Sequence, residues 1–543
     1  MLPKSNRPQL PISLLIVQRA TAIALLLAIP LACKGDGSNG RASTSLDPPV
    51  TPDPPGDVPG FPFVDHIDQV DITEGRIRFD ELFILGDELF EAQYNALDGA
   101  GIQQLPDGTP FPERFARVPP GGGRSGGPNA QACNACHNLP FGTAAGEAAS
   151  NVAQDPAGTG NPPFNTRNPP SLFGSAVLPR LAEEITDDLL AIREDAAAAT
   201  TPGGASVTAD LISKGISYGT IIATQDVGGT VTFDLSKIEG IGEDLVVRPY
   251  GWKGDTTTLR DFTRRAAALE LGMEPDELVE KDALQRTDPD GDGVEGEFTI
   301  GDITALTIYI GAQEIPTTLE FLAREGLQGP PPPEQANAIA RGEVLFSQIG
   351  CAECHVPELP LGDPVFEEPT LRGGGNYFDG DIDPVATALR TDRPFEFNLV
   401  QEGDFPRLAP GPGGRTRVAL FGDLKRHNMG TGLADSQPTP VKSANGQTLE
   451  LAGTPVTVSE SVFLTAELWG AGNTGPWLHD GRASTLNEAV LLHGVDAPPP
   501  VGDPARSDAQ GSRGAFAALS DDDRAAVVAF LKSLVHFEIP EEE

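Results

Sequence analysis

The sequence predicts a mainly α fold made of two related halves, and three observations carry that prediction. Apolar residues recur at helical spacing over 79–97, 181–199, 259–271 and 303–322. A Gly-x-x-x-Phe pattern occurs at Gly86–Phe90 and again at Gly342–Phe346, a degraded internal repeat. Each copy is followed by Cys-x-x-Cys-His, at Cys133-Asn-Ala-Cys136-His137 and at Cys351-Ala-Glu-Cys354-His355.

Cys-x-x-Cys-His is the pattern of covalent c-type haem attachment. Two thiols add to the two vinyl groups of one porphyrin, and the adjacent His reaches the iron as proximal ligand. A zinc half-site or a redox disulfide also uses Cys-x-x-Cys, but neither needs a His in the fifth position. The halves are therefore expected to be cytochrome c-like domains, 61–330 and 331–543, holding two covalent haem c groups. His137 and His355 would ligate the two irons.

The elements follow in chain order. Lys4 and Arg7 precede the apolar run 20–32, which reads as an export signal over residues 1–32. Leu31-Ala32-Cys33 resembles the end of a bacterial lipobox, with Pro30 departing from it, so Cys33 is a candidate for lipidation. A Gly-, Ser-, Asp- and Pro-rich stretch over 33–60 would be a flexible tether. Haem c is attached outside the cytoplasm, which agrees with a periplasmic or cell-envelope location and with membrane contact only through a lipid.

In the first half, long Gly- and Pro-rich loops are expected over 99–132 and 138–175. Alternation of apolar and polar residues over 221–247, around Gly228-Gly229, predicts a small β-hairpin. Asp288-Pro-Asp290-Gly-Asp292-Gly293 resembles the start of an EF-hand Ca²⁺ loop. Its twelfth position is Thr299 instead of Glu, so bound Ca²⁺ on Asp288, Asp290 and Asp292 and a plain acidic turn both stay open. Pro330–Pro333 marks the boundary. The second half opens with a helix over 334–348 and ends with one capped by Ser520, its first turn acidic and Val527, Phe530, Leu531 and Leu534 on one face.

The chain has 543 residues and a formal net charge of −40. Electrostatics exclude nucleic acid as a partner and favour a basic one, such as a small electron-donor cytochrome. Four of the five cysteines lie in the two motifs, which leaves no intramolecular disulfide to propose.

Several further stretches carry a resemblance. They are Gly251-Trp252-Lys-Gly-Asp-Thr-Thr-Thr-Leu259, the second Cys-x-x-Cys-His with Val-Pro357 after it, and Asp423-Leu-Lys-Arg-His427-Asn428-Met429-Gly430. The last runs from Leu468-Trp469 through Gly-Pro-Trp-Leu-His479-Asp-Gly-Arg482 to Thr485-Leu486 and His493-Gly. Together, from about residue 75 onwards, the chain resembles the dihaem oxidoreductase family, a branch of the bacterial dihaem cytochrome c peroxidase and MauG superfamily.

The resemblance implies a high-potential C-terminal haem with His/Met ligation and an N-terminal haem that handles peroxide. Met429 would then be the sixth ligand of the C-terminal haem, with His427 its competitor. Trp252 would relay electrons between the haems. A Glu about twenty residues beyond that Trp would serve as acid/base; Glu270 and Glu274 bracket the spacing, and Glu270 is the choice. His479 and Arg482 would hold a propionate or an interface, while His66, His493 and His536 read as ordinary histidines. No His lies between His137 and His355, so the first iron is expected to be open or to take a remote ligand. A peroxidase is expected first, accepting electrons from a small redox protein and reducing peroxide or another small oxidant. A non-catalytic electron-transfer cytochrome and a MauG- or rubber-oxygenase-like oxidase are the alternatives.

Overall fold

Two close helix crossings build the frame of this computed structural model. Outside two-residue strands at 116–117 and 154–155, it describes residues 66–100, 130–146, 167–278, 294–370, 395–401 and 407–537, with short breaks. Cys33 and the acidic run Asp288, Asp290 and Asp292 lie outside the described residues, as do the export segment and the tether.

The helices that matter for the site are α1 (Phe79–Glu91), α2 (Val177–Ala198), α3 (Leu259–Ala266) and α4 (Ile300–Gly311) in the first part. The later part has α5 (Pro333–Gln348), α6 (Leu486–Leu491) and α7 (Asp521–Leu531). Helix α4 starts from a capping box between Thr299 and Asp302, and Ser520 caps α7 by accepting from the Asp523 amide. These caps satisfy amides that the helix itself leaves unpaired.

The internal repeat has a physical meaning. A Cβ on Gly86 would overlap the Ala305 carbonyl and Tyr309, and one on Gly342 would overlap the Ala526 carbonyl and Phe530. Glycine thus lets α1 cross α4, and α5 cross α7, at backbone contact. One turn on, Phe90 packs on Tyr309 at 5.3 Å and Phe346 on Phe530 at 5.3 Å. The same rings lie 6.3 Å from His137 and 6.4 Å from His355. The two halves use one construction.

Strand content is larger than the sequence suggested, so the frame is mixed instead of mainly α. The 221–247 hairpin is part of a three-stranded antiparallel sheet: β1 (Val207–Ser213), β2 (Ile216–Gln225) and β3 (Val231–Ile238). Its β2–β3 turn closes through Asp226, whose amide donates to the Thr230 carbonyl. Residues 239–247 leave the sheet. Seven further two-stranded ladders stitch the described loops, among them β4 (Arg426–Asn428) with β5 (Val462–Leu464). The helical run expected over 303–322 is broken, because α4 stops at Gly311 and a separate helix spans Leu319–Arg324.

Residues 63–540 form one compact unit. Its main core runs from Leu82 and Leu89 through Leu181 and Ile308 to Leu359, Val418 and Trp469. A second core around Phe346, Phe421, Phe530 and Leu531 surrounds the later haem motif. Residues beyond 331 pack into the first core: Phe395 stacks on Phe79 at 6.0 Å, and Arg260 binds both Glu277 and Glu368 with all three fully buried. Among the described residues no helix is long and apolar enough to cross a membrane.

The crossing makes a test. Gly342→Val should destabilise the protein by roughly 1–3 kcal/mol through overpacking, read as a lower denaturation midpoint at unchanged m. An unchanged midpoint would mean that the α5–α7 contact tolerates separation.

Candidate haem centres

At the first centre Cys133–Ala135 form one 3₁₀ turn, closed when the amides of Cys136 and His137 both donate to the Cys133 carbonyl. The turn puts both thiols and the imidazole at one point of the chain. None of the four motif thiols is in a disulfide. Burial pushes Cys133 up to about 12 and Cys136 up to about 11, so both are thiols at neutral pH. His137 Nδ1 lies 3.1 Å from the Ala144 carbonyl, and the Pro170 carbonyl also reaches the ring. Enclosure pulls its pKa down to about 4, which leaves the neutral imidazole that a metal requires.

Glu270 reaches the same centre. It sits on a π-helical turn, Ala267–Leu271, that continues α3, and its charge adds to the upward shift of Cys136. Its backbone carbonyl accepts from Ala130, three residues ahead of the motif. Such π turns recur at functional sites because they displace a side chain from regular helical register. Glu274 goes elsewhere, into a buried contact where its amide donates to Glu297 at 2.5 Å.

At the second centre Cys351–Glu353 repeat the 3₁₀ turn. His355 Nδ1 is 3.1 Å from the Phe421 carbonyl, and burial again lowers it to about 4. With Nδ1 donating, Nε2 carries the lone pair. His493, just past α6, has the same arrangement: its Nδ1 bonds the Ala489 carbonyl at 2.8 Å and burial lowers its pKa. The His355 and His493 ring centres are 6.4 Å apart at 61°. Sequence reasoning treated His493 as ordinary, since a His at a helix end has no distinguishing spacing.

His427 and Met429 flank the same space. His427 Nε2 binds Asp423 at 2.8 Å and its Nδ1 lies 3.9 Å from Cys354 Sγ. Burial pulls His427 down, but the bonds to Asp423 and Cys354 outweigh it and raise the pKa to about 10. Both ring nitrogens are therefore engaged. Met429, next to β4, lines the cavity, and its amide donates to the Ser461 carbonyl at 2.7 Å.

A cavity of about 340 Å³ joins Cys351, Cys354, His355 and His493 to Trp252. All three tryptophans of the chain line it. Trp252 donates its indole N–H to the Asn168 carbonyl at 2.9 Å, which fixes the ring against the loop after the first motif. Asp435, which the sequence offered only as part of the resembling Gly432-Leu-Ala-Asp435 stretch and without a role, anchors the surroundings. It takes a bidentate bond from Arg167 at 2.8 and 2.7 Å, lies 3.2 Å from Lys253 Nζ and 3.6 Å from His479 Nε2. Burial lowers Lys253 to about 8 and His479 to about 4. Arg482 binds Asp480 and the Gly432 carbonyl.

Residues 414–534 match the family model described as "Di-haem oxidoreductase, putative peroxidase". This segment is similar to the di-haem oxidoreductase family. The di-haem oxidoreductase match takes in His427, Met429, Trp469, His479 and His493, and it begins after Cys351–His355. No curated protein matches the chain. Two solved structures are similar to parts of it. One is Kuenenia stuttgartiensis hydrazine synthase pressurised with xenon, at 19% identity, a TM-score of 0.20, 44% of this chain and 56% of that one. The chain thus spans little more than half of that relative's length. The other is a MauG-like protein associated with microbial copper homeostasis, at 18% identity, a TM-score of 0.24, 56% of this chain and 75% of that one.

Asp435→Asn would leave Arg167 and Lys253 without their shared carboxylate. The expected loss is roughly 3–5 kcal/mol, measured by urea denaturation, and a loss below 1 kcal/mol would show that this cluster is not holding the loop.

Proposed function

We propose that this protein is a dihaem c-type oxidoreductase of peroxidase kind, exported to the cell envelope by its first 32 residues and held there through a lipid on Cys33. It takes electrons at the C-terminal haem and reduces peroxide at the N-terminal one. The observation that carries this reading is the asymmetry between the two centres. His355 and His493 bring two neutral imidazoles to one place, ring centres 6.4 Å apart, and the pair would hold one iron between them. His493, in preference to Met429, would therefore complete the second centre. The first has His137 on one side and a carboxylate, Glu270, beside Cys136.

The four motif cysteines would tether the two groups, which supply one-electron storage and an iron site for peroxide. The chain does the rest. Glu270 moves a proton from one peroxide oxygen to the other, the step that an acid/base accelerates. Trp252, held by Asn168, offers an oxidisable indole in the cavity that also contains His355. The Ala144 and Phe421 carbonyls fix the tautomers of His137 and His355, leaving Nε2 to the iron. The acidic surface attracts a basic electron donor, so turnover with such a donor should fall as salt rises. The His355–His493 pair also favours a second reading, an electron carrier, since an iron ligated on both sides moves electrons without binding substrate.

Ferric EPR of the haem-loaded protein separates the two readings. One high-spin and one low-spin signal are expected, and two low-spin signals would remove the peroxidase reading for the resting enzyme. Glu270→Gln should then slow peroxide turnover roughly 10²–10⁴-fold with both haems retained. A variant with full activity would take Glu270 out of the mechanism.

The same spectra assign the second ligand. His493→Ala should turn the low-spin signal high-spin, while Met429→Leu should leave it unchanged. The opposite pattern would return the role to Met429.

A further inference from the structure

Glu467 is an enclosed acid that the mechanism above does not use. It lies on the extended segment between β5 and Trp469 and lines the cavity that contains Cys351, Cys354 and His355. Its Oε1 is sealed from solvent with no hydrogen-bond partner. Burial pushes its pKa up to about 7, offset only by its own backbone amide. The other acids lining the cavity, Glu353 and Asp508, are exposed. The bases there are otherwise committed: His355, His479 and His493 have lowered pKa values, His427 is paired with Asp423, and Arg513 with Asp496.

A buried carboxylate with one oxygen unpartnered and only its own amide to bond depends on nearby positive charge to stay ionised. Reduction of the neighbouring centre removes one unit of positive charge. We propose that Glu467 takes up one proton when an electron enters the second haem centre and releases it when the electron leaves. The electron comes from the one-electron donor and the proton from solvent; the carboxylate becomes the acid, and oxidation reverses both. Peroxide reduction to two waters consumes two electrons and two protons, so coupled delivery suits it. The inference rests on the haem reading of the second motif.

The test is a redox titration of the haem-loaded full-length protein, followed optically from about pH 6 to about pH 8, around the neutral range where a raised carboxyl titrates. The midpoint of the second haem should fall as pH rises, approaching a tenfold change in the redox equilibrium per pH unit, 59 mV for one electron. Glu467→Gln should flatten that slope and Glu467→Asp should keep it. A pH-independent wild type, or a slope that survives in Glu467→Gln, overturns the proposal. Should the Gln variant not fold, redox-difference infrared spectroscopy on the wild type reads the same event. A protonated-carboxyl band gained on reduction supports the proposal and its absence overturns it. A second motif that carries no haem at all would sink the functional reading together with this one, whereas a loaded but pH-independent centre sinks only the proton coupling.

Discussion

Everything around the two motifs depends on backbone-to-backbone contact between helices at Gly86 and Gly342. That contact fixes how far α1 stands from α4 and α5 from α7. It therefore fixes where Phe90 and Phe346 point one turn later, each about 6 Å from a motif imidazole. Any larger residue would separate the pair and withdraw the aromatic from the histidine. Dense interiors do not absorb such shifts locally, so the positions of His137 and His355 are set by glycines 51 and 13 residues upstream, respectively.

A second constraint is electrostatic. A chain with a formal charge of −40 carries few cations, and several of them are spent inside. Arg260 and Arg264 are fully buried against Glu277, and Arg260 also reaches Glu368, which ties α3 to a strand beyond residue 331. Glu277 is accordingly held down at about 2 by the two guanidiniums, which outweigh its burial. Arg167 and Lys253 do the same work around Asp435, between the loop after the first motif, the Trp252 segment and the later chain. Buried pairs of this kind contribute little net stability but tolerate no missing partner. They specify how the two parts meet, and the exposed surface is left strongly acidic.

Local chemistry was legible in the sequence, and long-range partnership was not. The two Cys-x-x-Cys-His turns and the Ser520 cap of the last helix rest on contacts within a few residues, and the structure has them where the pattern put them. The Gly-x-x-x-Phe repeat showed as a pattern while its partners Ala305 and Ala526 did not, and Leu534, expected on that last helix, lies in a short strand beyond its end. Strand β1 was a local miss, since its partner β2 starts just past the Lys214-Gly215 turn. The fold class leaned too far towards helix because the short ladders, such as β4 with β5, join segments tens of residues apart. The roles of His493 and Glu467 were hidden for the same reason. Neither has a spacing that marks it; each gains its meaning from residues 112 to 138 positions away in the chain, at His355 and Cys354 or Cys351.

That placement leads to a division of labour on the proposed reading. The second centre has two neutral imidazoles, His355 and His493, beside the Asp423-paired His427 and one partnerless carboxyl oxygen, groups suited to holding an electron and compensating its charge. The first is approached by Glu270 from a π turn, a group suited to moving a proton on a bound oxidant. Trp252 belongs to the cavity of the second centre while its indole N–H is held by Asn168, from the loop that follows the first. A single hydrogen bond thus couples the positions of both centres to the one aromatic that the resemblance places between them.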